Sequence, residues 1–291
     1  MPTPSIFTND LSLRDETIDL SQIGRYKMCL LITPEEFCVA AFDTRTDRCV
    51  AFERYEAQSR LYSLAEVVEP MSQILSQHAF WKVGYWQKIT CMIHDSPFTF
   101  VPESYFEAEQ AIAYLRLNGT PNLKTSYVQY TEHNNSQTTC LFTIPKEISD
   151  WIELAYPHTS ISYVHGLSAF LEGIFLQDPT REQMHVLIYP KKMAIALMEE
   201  QELLFINEYS YNTPNELLYF ILAVAQEYEI ENPTLLLYGN KARMPEIADL
   251  LKMYISEVEW GKRPQGIFFG QNFNKIAQEE YFELFSCYYV S

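Results

Sequence analysis

Few positions in this 291-residue chain carry residue types at spacings that could do chemistry, and the most suggestive are Gly239 and Asn240. They follow the apolar run Leu235-Leu-Leu-Tyr and precede Lys-Ala-Arg-Met-Pro, a pattern that predicts a buried strand, a tight turn and a helix with Pro245 near its start. Arg243 lies in the same stretch. Lys191 and Lys192, in a turn between two apolar runs, could attract an anion; a solvated hairpin turn is the plainer reading of both.

Other familiar chemistries lack their residues. The six histidines show no HExxH spacing, and neither a Gly-x-Ser-x-Gly elbow nor a P-loop occurs. The cysteines (Cys29, Cys38, Cys49, Cys91, Cys140 and Cys287) include no CxxC pair and no nearby histidine at metal-ligand spacing, so they read as reduced core thiols. Glu103, Glu107 and Glu109 could hold a metal or act as a base, but a solvated helix face is the simpler account. Asp43 and Glu53 could belong to a two-metal nuclease centre, yet the first strand, Lys27 to Ile32, supplies no aspartate to complete it. No catalytic or metal-ligating set emerges.

Composition narrows the class further. With 47% hydrophobic residues the chain is globular, and its length is sufficient for two lobes, each with its own core. A formal charge of −17, with Lys and Arg scattered, argues against nucleic acid and anionic membranes. The longest apolar run, Leu217 to Ala225, is under half of a membrane span, and the start of the chain has neither the basic nor the apolar part of a secretory signal. A cytoplasmic location is expected.

The elements that must position the turns repeat. Leu31-Ile-Thr-Pro-Glu-Glu-Phe-Cys-Val-Ala-Ala-Phe-Asp43 lies under Leu187-Ile-Tyr-Pro-Lys-Lys-Met-Ala-Ile-Ala-Leu-Met-Glu199, and each is followed by a third apolar run ending in Tyr55 or Tyr209. Residues 1–24 read as a loosely docked arm, residues 25–180 as a first lobe and residues 181–291 as a second, with the boundary at Gln177 to Thr180. Each half opens with a three-stranded antiparallel meander. In the first half, Ser63-Leu-Ala-Glu66 caps a helix that Pro70 should kink or divide. Lys88 to Asp95 and Pro97 to Val101 then read as a hairpin, a helix starts near Ser104, and Asn118 to Gln137 reads as a polar loop around a short run at Tyr127 to Tyr130. In the second half, Thr213-Pro-Asn-Glu216 is a capping box with Pro at the first helical position, and a helix from about Gln278 to Tyr289 closes the lobe.

Three meandering strands, then helix, strand, helix, strand and helix, occurring twice, resembles the duplicated ribonuclease H-like fold of the actin, hexokinase and heat-shock ATPase superfamily. The expected class is therefore α/β with mixed sheets, in an actin-like arrangement of two lobes. Leu235 to Ile247 resembles the adenosine motif of that superfamily, an apolar strand followed by Gly-Gly and a later (Ile/Met)-Pro, in which the glycine turn lets adenine lie against backbone. Here Gly239 is kept and Asn240 replaces the second glycine, and the resemblance makes Gly239, Asn240 and Arg243, with Lys191 and Lys192, the candidates for a degenerate nucleotide cleft. Asn tolerates the left-handed turn, but its side chain would crowd a base lying on backbone. Active members carry Asp-x-Gly or a glycine run between the first two strands of each lobe, where backbone N–H groups grip phosphate. This chain has Thr33-Pro-Glu-Glu36 and Tyr189-Pro-Lys-Lys192 instead. The chain resembles an uncharacterised domain-of-unknown-function family with an actin-like ATPase fold, and Cys140 to Leu176 is similar to the subdomain of cell-division and pilus-assembly actin relatives.

These resemblances imply a non-catalytic protein-binding or scaffold module with a protein partner or a second copy of itself, and no cofactor. The alternatives are an ATPase or small-molecule kinase using ATP and Mg²⁺ with divergent loops, and a small-ligand sensor.

Overall fold

The computed structural model describes residues 6–59, 61, 63–177, 182–241 and 244–290. An edge strand, β1 (Phe7–Arg14), precedes the meander β2 (Tyr26–Ile32), β3 (Glu36–Asp43) and β4 (Arg48–Ala57). Helix α1 (Ala65–Gln77) leads to β5 (Lys88–Ile93), which lies parallel to β2. An inserted module follows: β6 (Phe98–Pro102), α2 (Ala111–Asn118), β7 (Ser126–His133) and β8 (Thr138–Pro145), its strands forming a separate sheet in the order β6-β8-β7. Helix α3 (Lys146–Ala155), strand β9 (Ile161–His165) and helix α4 (Gly166–Leu176) complete the half. The second half contains β10 (Gln183–Ile188), β11 (Lys192–Glu199), β12 (Glu202–Ser210), α5 (Pro214–Glu227), β13 (Thr234–Gly239), α6 (Pro245–Tyr254) and β14 (Glu257–Trp260). Strand β15 (Phe268–Phe269) and the short α7 (Phe282–Ser286) end the described chain.

The duplication is visible in the pairing. The first sheet contains the order β4-β3-β2-β5-β9 and the second runs β12-β11-β10-β13-β14, the same topology in each. Ile32 pairs with Phe37 across the first turn and Ile188 with Met193 across the second, so the aligned segments share one register. Strand β3 is buried along nearly its whole length and β10 almost as completely, because both of their faces are covered.

Alternation decides which core each residue joins. Met28, Leu30 and Ile32 meet Val67, Met71 and Leu75 of α1 and Ile148 and Ile152 of α3. Cys29 and Leu31 face the other way, onto Ala169 of α4 and Phe273, Leu284, Phe285 and Tyr288 near the C-terminus. In the second lobe, Val186 and Ile188 pack under α5 and α6, while Leu187 faces Leu167, Phe170 and Leu171 of α4. Helices α4 and α7 thus pack against each other at the junction of the two lobes. Gly173 permits this: a Cβ there would stand 2.1 Å from Ser286 Oγ and 2.6 Å from the Phe282 ring.

The structure corrects several expectations. The N-terminal arm is a sheet strand: β1 pairs with β4, and Phe7 and Leu13 are buried, because β4 would otherwise present an open edge. Residues 88–101 are not a hairpin; β5 lies between β2 and β9, and β6 leaves for the inserted sheet. Part of the expected polar loop is strand β7, which pairs with β8 through all eight residues. The helix expected near Ser104 is broken into two short 3-10 turns before α2. Helix α1 runs through Pro70 undivided, and the Ser63 hydroxyl meets the Glu66 carboxylate at 3.1 Å rather than capping a backbone N–H.

The C-terminal stretch also departs from the two-lobe division. Strand β15 pairs with β4, and the last residues cover the first sheet, so this part of the expected second lobe belongs structurally to the first. The helix expected over 278–289 shrinks to α7, since Tyr281 adopts a left-handed φ of 55°. Of the stretch Gln177 to Thr180 expected as the boundary, Gln177 caps the end of α4, and residues 178–181 lie outside the described residues. Among the described residues no helix is long and apolar enough to cross a membrane. All six cysteines are buried and free, and burial raises the Cys140 thiol to about 12, away from nucleophilic use.

Candidate functional site

Parallel strands deliver their following loops to one end of a sheet, which creates a crevice there. The carboxyl ends of β10 and β13 in the second lobe open in this way. Beside them lies a cavity of about 620 Å³, walled by the Ile188–Pro190 turn, Gly239, Asn240, the start of α6, Glu36 of the first sheet, and Glu280, Tyr281 and Glu283.

The first turn closes upon itself. Thr33 N donates to the Glu36 carbonyl at 2.9 Å, the Thr33 hydroxyl donates to the same oxygen at 2.9 Å, and Glu36 N donates to Thr33 Oγ1 at 3.0 Å. Pro34 has no N–H. Two of the turn's amide donors are thereby engaged internally, and Glu36 stands on the cavity wall.

In the second turn, Tyr189 N donates to the Lys192 carbonyl at 2.8 Å and the Tyr211 hydroxyl donates to the Tyr189 carbonyl. Lys192 is drawn away from the cavity by Asp95 at 2.8 Å and Glu208 at 2.9 Å. Burial depresses its pKa, but these two carboxylates outweigh burial and hold it above the ordinary lysine value. Lys191 is exposed and does not line the cavity. The two lysines singled out as anion ligands are therefore not brought to the cleft.

Gly239 and Asn240 are brought there. Gly239 has φ +123°, and a Cβ would lie 2.4 Å from the Ile188 carbonyl, because parallel β10 pairs Ile188 directly with Gly239. Its amide donates to the Glu279 carbonyl at 2.9 Å, so the chain's own C-terminal segment occupies the backbone donor of the turn. Arg243 lies outside the described residues.

A buried polar chain at the cleft base was invisible to sequence reading. The Tyr189 hydroxyl donates to Glu283 Oε1 at 2.9 Å and lies 2.8 Å from His94 Nε2. Because that hydroxyl hydrogen goes to the carboxylate, His94 Nε2–H donates to the tyrosine oxygen. The His94 carbonyl in turn lies 3.1 Å from His165 Nε2, while His165 Nδ1 accepts from Leu167 N and begins α4. Gly166 gives the His94 ring room, since a Cβ there would stand 1.9 Å from it. Burial, with Lys192 adding, holds His94 neutral with a pKa of about 3, and burial raises the Glu283 carboxyl above its ordinary range. One signal was present: Glu283 is a lone carboxylate in the apolar run Phe282 to Phe285.

Elsewhere the polar clusters are structural. His133 sits 2.6 Å from Glu172 and 3.0 Å from Ser168, the spacing of a hydrolytic triad, but Ser168 is wholly buried and does not line the cleft cavity. This strut fastens β7 to α4. Glu53 is held by Tyr55 and Trp81 at 2.6 Å each and by Arg14, Asp43 pairs with Arg25 at 2.7 Å, and Glu103, Glu107 and Glu109 are solvated. Among the described residues no group of three His, Cys, Asp or Glu side chains is placed to hold a metal.

Two sheets of this order facing one cleft define the actin-like ATPase fold. The structure is similar to that of a Bacteroides thetaiotaomicron protein with actin-like ATPase fold and unknown function, at a TM-score of 0.74 and 19% identity, covering 84% of this chain and 94% of that one. It is also similar to the PilM–PilN type IV pilus biogenesis complex, at a TM-score of 0.61 and 10% identity, covering 90% of this chain and 97% of that one. The chain belongs to DUF3822, a family of proteins of unknown function whose model matches residues 15–258. No curated protein matches it.

Proposed function

We propose that this chain is a non-catalytic protein of actin-like fold that acts in the cytoplasm as a protein-binding or scaffold module, with a partner protein or a second copy of itself, its nucleotide phosphate loops lost. The observation that carries the reading is the Thr33–Glu36 turn, whose Thr33 and Glu36 amides bond within the turn and whose Glu36 lines the cleft. A triphosphate fits such a lining poorly. Unit like charges 4 Å apart near a protein surface repel by about 4 kcal/mol, and Glu36, Glu246, Glu280 and Glu283 all line the cavity.

The partner half of the proposal is supported by aromatic and apolar groups on the inserted module. Tyr105, Leu117, Tyr127 and Tyr130 are exposed there, the kind of residue that interface cores favour. The fold is compatible with such work: the PilM relative is found in complex with PilN. The net charge of −17 speaks against nucleic acid as the partner, and six free buried thiols suit a reducing compartment. The test of the non-catalytic half is phosphate release from MgATP by the purified chain. No release above the protein-free rate is expected, and steady turnover abolished by substitutions in the cleft would sink the reading.

A small-ligand role for the cleft is compatible with scaffold work and is favoured by the size of the cavity, which falls within the range of small-molecule sites.

A further inference from the structure

The cavity wall combines an apolar half with an acidic half. Ile188, Met244 and Ile247 are apolar and almost fully buried, and the charged part of the described lining is four glutamates, with no Lys or Arg among the described residues. The glutamates differ in what they already hold. Glu280 accepts from Ala277 N at 3.3 Å, whereas Glu246 is exposed at the mouth. Glu283 is only 2% exposed: Oε1 accepts from Tyr189, and Oε2 has no hydrogen-bond partner. A buried carboxylate oxygen without a donor is costly, and native proteins keep few of them.

We propose that the interlobe cavity is a site for a small organic cation, an ammonium or guanidinium on an apolar body, with Glu283 Oε2 taking the charged end and Ile188, Met244 and Ile247 the body. The cation supplies the donor that Oε2 lacks, in the geometry where charge-assisted hydrogen bonds are strongest. Glu246, exposed at the mouth, adds attraction at longer range. Burial raises the Glu283 carboxyl, and an arriving cation works against that shift by favouring the ionised form. The cavity can fill whether or not a partner docks elsewhere, so the cation site does not depend on the scaffold reading.

The experiment is calorimetric titration of the full chain with three probes that share one body: 3-phenylpropylamine, 3-phenylpropanol and 3-phenylpropionate. The amine is expected to bind at a single site about tenfold or more tighter than the alcohol, and the carboxylate not measurably. Glu283→Gln should weaken the amine by about tenfold and leave the alcohol unchanged, while Glu246→Gln should cost the amine about threefold at most. Met244→Trp, which narrows the cavity and leaves every glutamate in the sequence, should abolish amine binding and decides the matter if Glu283→Gln fails to fold. Equal binding of amine and alcohol, no amine binding up to millimolar concentration, or full binding by Met244→Trp would each overturn the proposal.

Discussion

The Tyr189 hydroxyl of the second lobe lies 2.8 Å from Nε2 of His94 in the first, and the same hydroxyl donates to Glu283 on the C-terminal segment at 2.9 Å. One oxygen therefore joins three parts of the chain that meet at the base of the cleft. Tyr189→Phe keeps the ring and removes that oxygen, leaving a buried imidazole N–H and a buried carboxylate oxygen without partners. At about 1–3 kcal/mol per orphaned group, the loss should be about 2–6 kcal/mol in urea denaturation. A change under about 0.5 kcal/mol would show that the bond contributes nothing to joining the lobes.

Gly239 and Gly84 make a controlled pair. Gly239→Ala meets both a positive φ and the Ile188 carbonyl at 2.4 Å, whereas a Cβ at Gly84 meets nothing within 4 Å. The first substitution should destabilise by more than about 1 kcal/mol and the second should be neutral or slightly stabilising. Equal effects would mean that the turn relaxes without cost.

The duplication was legible because it depends on local pattern. The apolar runs beginning at Leu31 and Leu187, broken by Pro three residues on, revealed two equivalent hairpins, and the shared register of Ile32 with Phe37 and Ile188 with Met193 follows from that. Thr213 caps α5 as its spacing implied, bonding Glu216 N at 3.3 Å. What stayed hidden depends on distant partners. Strand β1 is polar because one of its faces meets solvent, and only β4, more than thirty residues on, reveals it as a strand. Strands β5 and β6 look like a hairpin because each alternates suitably, but β5 finds parallel neighbours on both sides. At the site, Gly239 could be read from a turn motif. His94, Tyr189 and Glu283 could not, since each pair is more than ninety residues apart and no spacing rule connects them.

Stability should fall with acidity in a defined window. Burial lowers the pKa of His94 and of His185 to about 3 and depresses that of His165 as well, the latter with help from His94. All three are neutral in the fold but titrate near 6.5 when unfolded. Because the folded values are the lower ones, the unfolded chain binds more protons as pH drops below about 6.5, and stability is lost from there downward. Each histidine contributes a limiting slope of about 1.4 kcal/mol per pH unit, so the three together approach about 4. Glu283, whose folded pKa is raised, works in the opposite direction and offsets part of this; Glu53, whose folded pKa is lowered, adds to the loss only below about 4.5. Urea midpoints should thus be clearly lower at pH 5 than at pH 7, and a flat profile across that range would contradict neutral burial of the histidines.

Asn240→Gly restores the second glycine of the turn but leaves Thr33 and Glu36 as they are. The variant should release no phosphate from MgATP. Turnover gained from this one change would place the obstacle at the turn after β13 and not at the Thr33–Glu36 turn.

Loss of the cleft's grip on nucleotide phosphates is tested most directly by the thermal midpoint in MgATP. A ligand at about 100 times its dissociation constant stabilises the folded state by about 2.7 kcal/mol, and for lobes of this size each kcal/mol raises the midpoint by about 2–4 °C. A working nucleotide site at that excess would shift melting by about 5–10 °C. With Glu36 at the first turn and the amides of Thr33 and Glu36 engaged within it, the midpoint should not move. A clear rise with MgATP that adenosine fails to reproduce would mean that the cleft does hold phosphates, and would contradict the loss of its phosphate loops.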